Sequence, residues 1–215
     1  DLTYEDMLER YQRQDIVSRI VNAYPDAVWT RPPQIVKFDK LQDAINTLDS
    51  AVSLFHYINR ADKLAGIGKF SLLLLGLSDV KDTTSLTKAV NAEEEDLSLD
   101  YVQVYGYGRI SIKSYETDPT TPYFGMPKIY EIEIGGDDGI DQREKTITEK
   151  ISVHRSRVIH IADCPLDSDI HGYPILERVF NRLEDIEKVV GGAAEMFWLT
   201  SNRGMQVDVD KEIKM

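Results

Sequence analysis

Leu8, Tyr11, Ile16, Ile20 and Tyr24 recur near helical spacing, so residues 4–24 are expected to form an amphipathic helix. Pro25 is expected to interrupt it, and Pro32-Pro33 to force an extended exit. A second helix is expected over about residues 40–63, where Leu41, Ala44, Ile45, Leu48, Val52, Phe55 and Ile58 make one apolar stripe. Gly66 and Gly68 are expected to stop it. The largely apolar stretch over 70–77 reads as a buried strand. The polar stretch 79–96, with its Glu93-Glu94-Glu95 run, reads as a solvated loop.

Beyond residue 98 the pattern shortens. Runs over 99–105, 110–115, 128–134, 146–153 and 157–161 read as strands, parted by Gly, Pro and Asp turn signals of which Gly135-Gly136-Asp137-Asp138-Gly139 is the strongest. Helical spacing then returns over about 173–198, with Leu176, Val179, Phe180, Leu183, Ile186, Val190 and Phe197 as its apolar positions. Gly204 is expected to end that helix and 205–209 to begin another strand. The order of elements predicts an α+β fold: N-terminal helices, a mixed or antiparallel β region, and a long C-terminal helix.

Charge narrows the partners. The 215 residues carry 37 acidic against 25 basic side chains, a net charge of −12. A protein that grips DNA neutralises phosphates with clustered Lys and Arg, so tight binding of nucleic acid or of an anionic membrane is excluded. Proximity is not: a wall past which DNA slides without sticking gains from being acidic. The four leucines Leu72 to Leu75 form the longest apolar run, too short for a bilayer. The lone Cys164 precludes an internal disulfide and suits a reducing compartment. The opening Asp1 and the uncapped end at 211–215 are expected to lie inside a longer polypeptide.

Candidate chemistry fails on spacing. Gly66-Ile67-Gly68-Lys69-Phe70 has a Gly-Lys pair but neither the following Ser or Thr nor the earlier glycine of a phosphate loop. Asp137-Asp138-Gly139-Ile140-Asp141 lacks the ligand alternation of a calcium loop. His56, His154, His160 and His171 show no metal-ligand pairing. His154-Arg155-Ser156 matches one half of a two-histidine phosphodiesterase, which needs a second His-x-Ser unit facing the first. No catalytic, cofactor-binding or metal-binding residue is therefore expected. Two further readings of the residues stay open, a phosphodiesterase centred on His154 and Ser156 and a soluble interaction module.

Four stretches together resemble the portal proteins of tailed bacteriophages. They are residues 9–29, a helix leading to a Trp-bearing turn; 115–127, with its Asp118-Pro119 and Phe124-Gly125-Met126-Pro127; Val153-His154-Arg155-Ser156-Arg157-Val158; and 172–188, the opening of the long helix. The resemblance spans nearly the whole chain and rests on order and spacing rather than on any one motif. It implies a structural subunit of a ring, usually of twelve copies, at a capsid vertex. DNA is packaged through that ring by a separate terminase and later ejected through it. The implied partners are further copies of the chain, terminase, head-tail connector or neck proteins, the capsid protein, and double-stranded DNA passing without sequence-specific contact, with no cofactor and no membrane. The implied location is the virion, and the host cytoplasm during assembly. Residues 1–171 would correspond to the wing, 172–204 to a stem-type helix, and 205–215 to the start of the clip or a following strand. Glu177, Arg178, Arg182, Glu184 and Asp185 are the expected subunit-interface residues.

Overall fold

The computed structural model describes residues 2–35, 38–91, 97–135 and 149–201. The Glu93-Glu94-Glu95 run, the turn signal over 136–141 and the expected strand at 205–209 lie outside the described residues. Two compact units are present, Asp1–Glu177 and Arg178–Met215.

The first expected helix is two. α1 (Tyr4–Arg13) opens on a capping box in which Asp6 N–H donates to Thr3 Oγ1 (3.2 Å) and Thr3 N–H donates to the Asp6 carboxylate (3.0 Å). It ends at Gln14, whose extended backbone (φ −112°, ψ 123°) turns the chain into α2 (Asp15–Val28). Pro25, expected to break the helix, sits inside α2 instead. Val17, Val21 and Pro25 fall four residues apart and are all buried, so packing of that stripe outweighs the one main-chain bond a proline forfeits.

The second expected helix is also divided. α3 (Asp39–Val52) and α4 (Leu54–Ile67) meet at Ser53, which is left-handed at φ 54°, ψ 47°. Asp49 makes the joint possible: its carbonyl accepts from Ser53 N–H (2.7 Å) and its carboxylate from Phe55 N–H (3.0 Å), a donor that α4 leaves unpaired. Gly66, expected to stop α4, lies within it and is buried; Gly68 is the cap. α4 lays Ala61 against Leu73 and Val102, and its small side chains permit that approach.

Six strands follow. β1 (Ser71–Leu77) is central to one antiparallel sheet between β2 (Leu99–Gly106) and β6 (Val158–Ile161). β4 (Pro127–Ile134) is central to the other between β3 (Ile110–Tyr115) and β5 (Glu149–His154). The sheets are not independent. A 3₁₀ turn at Tyr107–Arg109 bends β2 into β3, and a second at Arg155–Arg157 bends β5 into β6. Two bent ribbons thus serve both sheets, and the ladder runs from β1 through β2/β3, β4 and β5/β6 back to β1. The barrel interior is filled by Phe70, Leu72, Leu74, Tyr105, Tyr130, Ile132, Ile151 and Val153. Alternation explains the leucine run of β1: Leu72 and Leu74 face the barrel, Leu73 faces α4.

The stretch expected as a solvated loop after β1 is built into this core where it is described. Leu86, on a 3₁₀ turn at Ser85–Thr87, is 5% exposed and joins the barrel cluster. α5 (Ile175–Ser201), a helix of 27 residues, is the last described element. The architecture is α+β, with every described strand pairing antiparallel and a long C-terminal helix.

Candidate assembly surface

α5 carries the residues expected at a subunit interface. Arg178, Arg182 and Asp185 recur at i, i+4 and i+7 and share one face; Glu177 and Glu184 are seven apart on the adjoining one. Arg182 reaches Asp185 at 3.5 Å and Lys188 reaches Glu184 at 3.7 Å, both within the helix and both solvent-exposed. Exposed pairs of this kind contribute about 0.3–0.5 kcal/mol each, so they do not commit these side chains to one arrangement.

The apolar positions assigned to α5 part company along its length. Leu176 is buried, whereas Ile186, Val190 and Phe197 stand exposed. Toward the C-terminal end Met196, Phe197, Trp198 and Leu199 are all open to solvent, Phe197 at 76%. Successive helical residues are rotated by about 100°, so four consecutive large apolar side chains cannot share one face. They ring the helix and leave large apolar side chains exposed on every side of it. The run MFWL announces this band in the sequence, although a search for one-sided stripes credits only Phe197. Between Lys188 and Glu195 the helix carries Val189-Val190-Gly191-Gly192-Ala193-Ala194, and a Cβ added at either glycine would meet nothing within 4 Å.

The second 3₁₀ corner holds His154 and Ser156, the residues of the phosphodiesterase alternative, and both make hydrogen bonds within the fold. His154 Nδ1 accepts from Ser156 N–H at 3.2 Å and lies 2.9 Å from Ser156 Oγ. That oxygen in turn accepts from Val90 N–H at 2.9 Å. Burial, then the neighbouring Arg155, hold the His154 pKa below the ordinary histidine value. Arg157, the next residue but one, is 2% exposed. Its guanidinium donates to both oxygens of Asp79 (2.7 and 2.6 Å) and its Nε–H to the Lys88 carbonyl (3.0 Å). The corner therefore fastens residues 79–90 over the barrel. A second histidine is committed elsewhere: both ring nitrogens of His160 are engaged, by Tyr130 and by the Ile170 carbonyl. His56 lies on α4 and His171 packs edge-on to Phe70, so no second His-x-Ser unit faces the first.

Among the described residues no group of three or more His, Cys, Asp or Glu is arranged to hold a metal ion, and Cys164 is an exposed free thiol. No helix of the described residues is long and apolar enough to cross a membrane. A family model described as "Phage portal protein" matches residues 5–214. No curated protein matches the chain.

Proposed function

The chain belongs to the phage portal protein family, and from that membership we propose that it is a subunit of a ring that conducts DNA at a capsid vertex during packaging and ejection. The family is a structural one, and the match over residues 5–214 is the observation that carries the reading. The net charge of −12 supports it: an acidic conduit repels phosphates and lets DNA slide. The ring has about twelve copies, the number usual among such subunits. Its partners are terminase, neck or connector proteins, the capsid protein and double-stranded DNA, and it resides in the virion after assembly in the host cytoplasm.

Within this reading residues 1–171 form the wing, 172–204 the stem-type helix and 205–215 the approach to the clip. Glu177, Arg178, Arg182, Glu184 and Asp185 meet complementary charges on an adjacent copy through a heterologous interface, which is what closure into a ring requires. The exposed band at Met196, Phe197, Trp198 and Leu199 becomes enclosed on assembly. Negative-stain imaging of the full-length protein is expected to show annular particles. A species that stays monomeric at every concentration would overturn the proposal. Reversing Arg178 and Arg182 together to Glu is expected to abolish annuli while the far-ultraviolet spectrum stays unchanged; intact rings in that variant would remove these residues from the interface.

A further inference from the structure

The turn over 116–126, between β3 and β4, is closely tied yet presents an aromatic ring to solvent. Its ends are joined: Glu116 N–H donates to the Met126 carbonyl (2.8 Å) and Gly125 N–H to the Glu116 carbonyl (2.9 Å). Inside it Met126 N–H donates to the Tyr123 carbonyl (2.9 Å), and the Asp118 carboxylate accepts from Thr120 N–H (2.9 Å). Lys128 pairs with Glu116 at 2.9 Å. The Arg155 guanidinium lies on the Tyr123 ring, 3.2 Å from its centroid. Phe124, at the tip, is nonetheless 61% exposed. A phenyl ring in water is unfavourable, and here a hydrogen-bonded main chain holds it there.

The other end of β4 carries the complement. Ile134 continues the inward face of Tyr130 and Ile132 but, unlike them, is exposed, so it stands at the barrel mouth. There a cleft of about 420 Å³ is floored by Leu74, Leu86 and Ile151 and walled by Ile134 and Tyr101. An apolar cavity of about 150 Å³ already takes benzene, so the mouth has room for a phenyl ring. Its rim bears Lys81, Asp82 and Asp100. Asp82 accepts from Thr84 and Ser85, and Asp100 from Ser98, but neither carboxylate has a cation within ion-pair distance among the described residues. Arg155, at the base of the exposed turn, likewise has no acid within that distance among the described residues.

Turn and mouth are separated by the length of β4, about 23 Å at roughly 3.3 Å per residue. One chain therefore cannot fill its own mouth with its own Phe124. A ring needs two different surfaces on every copy, one meeting the other head to tail. We propose that Phe124 of one copy seats in the barrel mouth of its neighbour, with Arg155 of the first facing Asp82 and Asp100 of the second. The inference rests on the ring reading above and adds a contact that orders the copies. An aromatic anchor in a concave apolar site is the usual form of an interface hot spot. Turn-to-turn pairing would leave both mouths open, whereas head-to-tail seating fills every one.

Cross-linking of the full-length protein in a Cys164→Ser background tests this. Pro122→Cys stands beside Phe124 and Thr83→Cys lines the cleft, both at exposed positions. With a short bis-maleimide the double variant is expected to give a ladder of trimers and larger species on denaturing gels, because each copy is joined to two neighbours. Either single variant is expected to go no further than dimers. Adding Phe124→Asp is expected to abolish the ladder with the far-ultraviolet spectrum unchanged, and Phe124→Leu to retain it. Annular particles without a ladder would overturn the seating and leave the conduit reading standing. A ladder that survives Phe124→Asp would also overturn it. A ladder without annuli would uphold the head-to-tail contact and sink the ring, and the absence of both would sink both.

Discussion

Arg157 shows what one residue contributes when its charge is removed from water. At 2% exposure it would be a severe liability unpaired, yet Asp79 takes two of its donors and Lys88 a third. Breaking such a pair by deleting one partner costs about 3–5 kcal/mol, because the other charge stays buried. Asp79→Ala is therefore expected to lower stability by that order in urea unfolding, and Arg157→Met by less, because the carboxylate it leaves behind is 17% exposed against 2% for the guanidinium. The Arg157 hydrogen bonds hold the Asp79 carboxyl below its ordinary pKa of 3.8. Its contribution is complete above pH of about 4 and is lost as pH falls through the depressed folded value. Asp79→Asn is expected to flatten that acid limb of the stability profile. In the sequence Asp79 is one acid among many after a strand, 78 residues from its arginine, and nothing local joins them.

At the scale of elements, the joints decide more than the segments. The helical periodicity over 4–24 and 40–63 is real, but each segment is two helices, broken at Gln14 and at Ser53. Neither residue is a strong breaker, and the bends let α1 and α2 both lie against α4, and α3 and α4 both against β2. Pro25 teaches the converse lesson: a strong local breaker yields where its ring is buried in a continuous stripe. The hinge between β6 and α5 is tighter still. A Cβ on Gly172 would stand 2.1 Å from the Asp163 carbonyl oxygen, which belongs to the backbone and cannot rotate aside. Gly172→Ala is expected to cost about 1–3 kcal/mol, measured as a lower thermal midpoint. Gly108 differs, since its Cβ would meet the Tyr4 ring at 2.7 Å, and a side chain can be displaced. Gly108→Ala is expected to loosen α1 with a smaller loss.

For the molecule as a whole, charge is the property that bears on function. A net −12 opposes binding driven by counterion release. The full-length protein is expected to leave a DNA fragment unshifted in a gel even at about 50 mM salt, where non-specific electrostatic binding is strongest. A shift there that vanishes near 200 mM salt would mean that DNA is gripped, and the conduit reading would fail. Exposed apolar surface points the same way as the family. The exposed band at Met196 to Leu199 is the surface that association into the proposed ring would cover, and imaging across a range of concentrations is the measurement that checks it.

Composition and periodicity by themselves determined the α+β class, the buried strand at β1, the long C-terminal helix and the acidic net charge, because each depends on the side chains of one segment or on their sum. The likeness to portal proteins was legible for the same reason, being carried by short stretches in order. Only the tertiary structure decided that the sheets share two bent ribbons, that Asp79 and Arg157 form one buried pair, and that His154, Ser156 and His160 are fasteners. These are contacts between positions tens of residues apart, whose energy comes from burial and the exclusion of water. A sequence records who is present, whereas desolvation depends on who is adjacent.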